Sequence, residues 1–416
     1  MPTPTPGTLP FAKPTEDPCN KIKVLHLITL SVVGGAQDNT FGTCELHNRR
    51  RYEVHLACNP DGQWIDRARQ AVDVFHPLNH LQTPPHPLKD LRSLWDIIQL
   101  LRRERFEIVH THTSKAGFVG RVACWICRVP TVIHTYHAFP FHDYMSSAKR
   151  WVFQSLERLT RPMTDFIFTL SELDREQGRQ LGILRREASA TAYTGINFAK
   201  IDAAAPRETV REKLGIDPDV PVVLLVGRLE PQKAPHVMLE AFAQVVKEHP
   251  RALLLFAGDG ILRPEVEAAI RERGLEQNAR ILGFRDDIPD LLAAADLFAF
   301  SSLWEAMGRA MIEAMLMGRA VVVPAIYGIP EIVHHGETGW LYEAGKADQL
   351  ARGISHLLAH PAEREELGRE ARRLTRKLFD LEEMVAKIED AYVQTQWRQV
   401  AHLPMPFAAT RRILPA

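Results

Sequence analysis

At 416 residues, with 51 basic and 51 acidic side chains and 45% hydrophobic residues, the chain has room for two or three globular domains. No run approaches the roughly 18 apolar residues of a membrane-spanning helix, which excludes an integral helical membrane protein. Five scattered cysteines, Cys19, Cys44, Cys58, Cys124 and Cys127, argue against a disulfide framework and for a reducing, cytoplasmic setting.

In chain order, residues 1–20 carry no apolar stretch of the secretory kind and read as a disordered, proline-rich leader. "KIKVLHLITL" (21–30) reads as a strand running into the glycine turn "SVVGGAQ", with a helix following through "CELHNRRR". "YEVHLAC", "EIVHTHT", "PTVIHTYHAF" and "DFIFTLS" read as further strands. Between them, "PLKDLRSLWDIIQLLRRERF" repeats its apolar residues at helical spacing, and "KAGFVGRVACWICR" reads as another helix. After a linker, "TGINFAKIDAAAPRE" (194–208), the beat restarts with "DVPVVLLVGRL", "PHVMLEAFAQVVKEHP", "RALLLFAGDG" and "RPEVEAAIRERGL". It continues through "ARILGF", "IPDLLAAAD", "LFAFSS", a helix over 301–315 and "RAVVVPA". Strand–helix alternation on this scale predicts two α/β domains with mainly parallel sheets. The expected division is 1–20 leader, 21–197 first domain, 198–380 second domain, and 381–416 a final helix and tail.

Ligands of open parallel sheets bind beyond the carboxyl ends of the strands, where helix N-termini favour anions. Gly34 and Gly35 follow the first strand, suited either to close approach of a phosphate or to a tight turn. There is no GxGxxG dinucleotide fingerprint. Arg228 and Lys233 share one strand–helix loop, which suits a diphosphate, although solvated loop charges have the same look. In "SSLWEAMGRAMIEAM" (301–315), Glu305 and Glu313 stand eight residues apart. In a helix that spacing sets them about 12 Å apart along the axis on adjoining faces, so a ligand lying along the helix could touch both. Ser302-x-x-Glu305 also has capping-box spacing, which would leave Glu305 a structural role. A helix start here would offer the amides from Met307 through Gly308 and Arg309 to Ala310.

Arg228 with Lys233, Glu305-x7-Glu313, "GRAVVVPAIYGIPEIVHHGETGWLY" (318–342) and the early Gly-Gly together resemble the retaining, nucleotide-sugar-dependent glycosyltransferases of family 4, over residues 21 to about 400. The resemblance implies a GT-B fold: two facing Rossmann-like domains and a C-terminal helix that crosses back to pack on the first. It assigns Arg228, Lys233, Gly34, Gly35 and the stretch Gly308, Arg309 and Ala310 to the donor diphosphate. Glu305 and Met307 would meet the transferred sugar, Glu313 the ribose, and Phe284 and Arg285 the base. His137, in "HTYHAF", matches a histidine near the donor sugar and joins Glu305 as a catalytic candidate; a polar residue at a strand end is the structural alternative. Three positions depart from the family pattern: Ala234 and Tyr327 stand where glycine is usual, and Met307 where phenylalanine is usual. The implied substrates are a UDP- or GDP-sugar and a hydroxyl acceptor, a glycan or a lipid-linked intermediate of cell-surface polysaccharide synthesis. A sugar-nucleotide 2-epimerase or a non-catalytic sugar-nucleotide-binding protein remains as the alternative.

The other patterns carry less. Cys124-x-x-Cys127 lacks a second ligand pair, His110-x-His112 reads as local strand structure, and no metal or cofactor is expected. Short basic runs without interleaved aromatics do not suit nucleic acid. Residues 1–200 hold 25 basic against 19 acidic side chains, and the remainder 26 against 32. With the aromatic "FPFHDY" (139–144), that asymmetry is compatible with an anionic acceptor or peripheral contact with a membrane.

Overall fold

The computed structural model describes residues 21–83 and 86–401; the expected leader and the tail beyond 401 lie outside them. The strands are β1 (Ile22–Leu30), β2 (Tyr52–Asn59), β3 (Val74–Pro77), β4 (Ile108–His112), β5 (Thr131–Tyr136), β6 (Phe166–Thr169) and β7 (Ser189–Thr191), then β8 (Val222–Val226), β9 (Leu253–Ala257), β10 (Ala279–Gly283), β11 (Leu297–Ala299), β12 (Ala320–Pro324) and β13 (Trp340–Tyr342). The first seven form one sheet in the order β3-β2-β1-β4-β5-β6-β7, and the rest a second in the order β10-β9-β8-β11-β12-β13. Strand pairing is parallel throughout, with Val24 opposite both Val54 and Ile108 in the first sheet and Val223 opposite Leu254 and Leu297 in the second. Parallel strands are covered by helices on both faces, so they read as unbroken apolar runs such as VVLLV and LLLFA, and apart from the half-buried Val226 these side chains are buried.

Both sheets reverse direction of growth at their first strand, between β1 and β4 and between β8 and β11. At such a reversal the following helices diverge to opposite faces and leave a crevice at the carboxyl ends. The two crevices face one another, bridged by Arg309 with Asp38 and by Trp304 stacked on His142. The last helix, Leu381–Ala401, returns to the first domain. Its Leu381, Met384, Val385, Ile388 and Tyr392 share a buried cluster with Phe41, Val54 and Phe168. The chain therefore has the GT-B architecture.

Two expected helices differ. The first, Gly35–Leu46, stops short of the arginines at 49–51, because Asn48 turns the chain by accepting from the amides of Arg51 and Tyr52. More important, no helix covers 301–308; the helix is Arg309–Leu316. Its N-cap is Gly308, at a φ of 68° that glycine tolerates best. The backbone before it bonds sideways instead: the Leu303 amide donates to the Gln232 carbonyl at 2.9 Å, and Gln232 Nε2 donates to the Trp304 carbonyl at 2.8 Å.

Candidate active site

Four loops meet at the crevice of the second domain and its opposite face. The loop after β8 carries Arg228 and Lys233. The Lys233 ammonium is ion-paired to the Glu305 carboxylate from the loop after β11, and Ser302 Oγ donates to the same oxygen at 2.9 Å. This overturns the capping-box reading: Ser302 and Glu305 bond through their side chains, and neither caps a helix. It also overturns the picture of two carboxylates along one helix, since Glu305 sits in the preceding loop and only Glu313 is helical. Ser301 Oγ ties the β11 loop to the β8 loop through the carbonyls of Lys233 and Ala234, at 2.8 and 3.0 Å. Arg228 is 65% exposed, with Glu230 as its partner at 2.8 Å. Ala234 has a φ of 42° and Tyr327 one of 46°. Both departures from glycine thus occupy left-handed backbone, which costs an L-residue about 1–2 kcal/mol each.

The helix Arg309–Leu316 opens beside Lys233 and Glu305. The amides of Gly308, Arg309 and Ala310 have no hydrogen-bond partner among the described residues, leaving a cluster of donors at the positive end of a helix dipole. The side chain of Arg309 does not join them. It reaches across the crevice to Asp38, donates to Glu313 Oε1 at 3.1 Å and to the Gly195 carbonyl at 3.1 Å, and so ties the second domain to the first helix and to the linker. Asp38 was not a sequence candidate; its carboxyl lies below the usual range because Arg309 and Arg67 outweigh its burial. Burial pushes the Glu313 carboxyl up, against the pull of Arg309. Gly35 faces Arg309: a Cβ there would lie 3.7 Å from the arginine's own Cβ. Gly35 therefore borders the crevice, and Gly34 is the N-cap of the first helix. Met307 is buried against Gly328. Phe284, at the end of β10, exposes about half its ring, and Arg285 is held by Asp287.

His137 follows β5 on the opposite wall. Its Nε2 is 3.1 Å from His112 Nδ1, while its own Nδ1 is buried without a partner. Burial holds it down at about 4, so it is neutral near pH 7. Behind it lie His26, His110 and His112, all fully buried and also held low by burial. The sequence places His110 and His112 near the cleft without a role, and gives no sign of His26. Alternation along the strand sets His110 and His112 on one face, with Thr111 between them on the other.

A cleft between two Rossmann-like domains, with cations and free helix amides on one wall and a neutral histidine on the other, suits a phosphate-bearing ligand. Comparison with known proteins agrees. The sequence model for "Glycosyl transferases group 1" matches residues 206–374 and that for "Glycosyl transferase 4-like domain" matches 34–192. The chain belongs to this family-4 group. It is 29% identical over 378 residues to the UDP-Gal:alpha-D-GlcNAc-diphosphoundecaprenol alpha-1,3-galactosyltransferase of Escherichia coli, covering 90% of this chain and 97% of that one. It is 28% identical over 299 residues to the alpha-D-kanosaminyltransferase of Streptomyces kanamyceticus, covering 68% and 75%. In fold it is similar to Anabaena HepE, solved in complex with UDP and glucose, with a TM-score of 0.77 at 24% identity over 90% of this chain and all of the other.

Proposed function

We propose that the chain transfers a hexosyl group from a UDP-sugar, with retention at the anomeric carbon, to a hydroxyl of a sugar carried on a lipid diphosphate. The observation that carries the donor half is the junction of Lys233, Glu305 and the three free amides at 308–310. The full-length similarity to a galactosyltransferase with a diphosphoundecaprenol-linked acceptor supports the acceptor half.

In this reading the diphosphate lies on the amides of Gly308, Arg309 and Ala310, with Lys233 and Arg228 on its oxygens. These groups stabilise the charge that develops as the glycosidic bond loosens, without requiring a metal ion. Glu305, released in part from Lys233 by the phosphate, takes hydroxyls of the transferred sugar. Glu313 takes the ribose, and the exposed Phe284 ring lies against the base. Glu305 is already bonded to Lys233 and Ser302, which suits it to holding the sugar rather than attacking it, so same-face attack by the acceptor through an oxocarbenium-like state is the expected route. The segment 139–144 meets Trp304 across the cleft, with His142 stacked on the indole at 4.0 Å between centroids. This contact shields the reacting centre from water and borders the acceptor path.

Membrane contact fits the first domain. Leu88, Leu91 and Trp95, on one face of the helix Pro87–Glu104, are 59–69% exposed, and exposed Arg92, Arg102 and Arg103 lie on the same helix. Trp125 and Trp151 are bare on two further helices of this domain. No helix among the described residues is long and apolar enough to cross a membrane. The functional test is product analysis with donor alone and with donor plus a polyprenyl-diphosphate GlcNAc. Elongated lipid formed only with both substrates supports the reading; a C2-epimerised sugar from donor alone would instead indicate an epimerase.

A further inference from the structure

A continuous file of side chains joins the outside of the last helix to His137. Glu389 Oε1 is 2.8 Å from His47 Nδ1; His47 Nε2 is 2.9 Å from His26 Nε2; His26 Nδ1 is 3.0 Å from His112 Nε2; and His112 Nδ1 is 3.1 Å from His137 Nε2. We propose that Glu389 is a positioning residue that fixes the tautomer of His137 through this file of histidines and leaves the His137 Nδ1 lone pair unprotonated and free to accept.

An ionised carboxylate only accepts, and Glu389 Oε1 also takes the Asn48 amide at 2.9 Å. Bonds from His47 and Asn48 hold the Glu389 carboxyl below its usual range despite burial. His47 must therefore place its hydrogen on Nδ1. A neutral imidazole has one N–H, so His47 Nε2 accepts, and the hydrogen between it and His26 belongs to His26 Nε2. The same step repeats twice: His112 donates from Nε2 to His26 Nδ1, and His137 donates from Nε2 to His112 Nδ1. Nδ1 of His137 is then unprotonated, and it is the atom left without a partner. Reversing the file would make that atom a donor and would point an N–H at Glu389 from neither end. Neutrality holds along the file because burial disfavours imidazolium at each position.

A metal ion is the competing use of these residues, since His26, His110 and His112 bring their ligand atoms within 4.8 Å of one another. The hydrogen bonds argue against it. Both nitrogens of His26 and His112 are engaged in the file, and His110 is engaged by Tyr392 OH at 2.6 Å and Thr135 Oγ1 at 2.7 Å. No lone pair is left to converge on an ion.

That His137 faces a donor-sugar hydroxyl rests on the function proposed above, but the tautomer does not, so it is measured without substrate. Full-length protein labelled with ¹⁵N-histidine is examined at pH 7.5 by long-range ¹H–¹⁵N correlation, with His137 assigned by its loss in His137→Gln. The expected pattern is a single Nε2–H tautomer at His137. Glu389→Gln keeps an acceptor oxygen beside His47 and should preserve that pattern. Glu389→Met should replace it with a mixture or with the Nδ1–H form, and should lower kcat more than it raises KM. An Nδ1–H His137 in the unmodified protein overturns the proposal whether or not any variant folds. So does an unchanged pattern in folded Glu389→Met, or stoichiometric uptake of added zinc that shifts His26, His110 and His112 together.

Discussion

The contact between Lys233 and Glu305 makes a prediction about stability as well as binding. Their side chains are 20% and 10% exposed, between a surface pair worth about 0–1 kcal/mol and a buried pair whose breakage costs about 3–5 kcal/mol. Lys233→Met leaves Glu305 charged and enclosed with only the Ser302 hydroxyl, so unfolding free energy should fall by about 2 kcal/mol, an intermediate value. Glu305→Gln should cost less, about 1 kcal/mol, because the lysine can extend toward solvent. The double variant should lose less than the sum, with a coupling of about 1 kcal/mol or more. Urea denaturation of the four proteins measures this. Calorimetry on the same set should show Lys233→Met binding UDP roughly ten- to a hundredfold more weakly while uridine is unaffected, the loss of one charged hydrogen-bond partner. Additive stability effects combined with unchanged UDP affinity would refute both the ion pair and its place at the diphosphate.

Glu313→Gln should weaken free UDP, whereas Glu305→Gln should leave UDP affinity near normal and lower turnover; identical profiles would remove the division between ribose and sugar. Acid should destabilise the fold early. His26, His47, His110, His112, His134 and His137 are all held below their ordinary value by burial. The unfolded chain therefore binds more protons from about pH 6.5 down toward 4, and the stability these groups contribute is complete above 6.5 and lost below it. For His137, held at about 4, that contribution is about 1.3 kcal/mol between pH 7 and 5.5. Asp174, raised to about 6 by burial, and Glu313, also raised by burial, oppose them. Urea midpoints that coincide at pH 7 and 5.5 would contradict the buried neutral cluster. Vesicles containing anionic lipid should sediment the protein at low salt and release it as salt screens the charges. Replacing Leu88, Leu91 and Trp95 by serine should weaken that binding, and protein that stays in the supernatant at low salt would favour a soluble acceptor.

The sheets were readable because parallel strands must be apolar on both faces, and VVLLV or AVVVP leaves little alternative. Lys233 and Glu305 were found through family resemblance, since spacing alone did not separate them from solvated charges. The helix start was misread for a physical reason. Ser302-x-x-Glu305 is a local pattern, whereas the true boundary depends on Gly308 in left-handed backbone and on Gln232, 72 residues from Trp304, satisfying that loop. The link between Asp38 and Arg309 and the file from Glu389 to His137 were invisible for the same reason. They join residues from three parts of the chain, and no local periodicity encodes them. Only the alternation of His110 and His112 along β4 hinted that this face had another use.

The central claim is that the two facing walls form one site for sugar transfer from a nucleotide. The most direct measurement is ¹H NMR of the product formed from UDP-galactose and a short-chain polyprenyl-diphosphate GlcNAc. The account predicts a new galactosyl residue with the small anomeric coupling of an α-linkage, matched by release of UDP and abolished in Glu305→Gln with Lys233→Met. A β-linked product would contradict retention, and no transfer from any UDP-sugar, despite UDP binding at Lys233, would contradict the site.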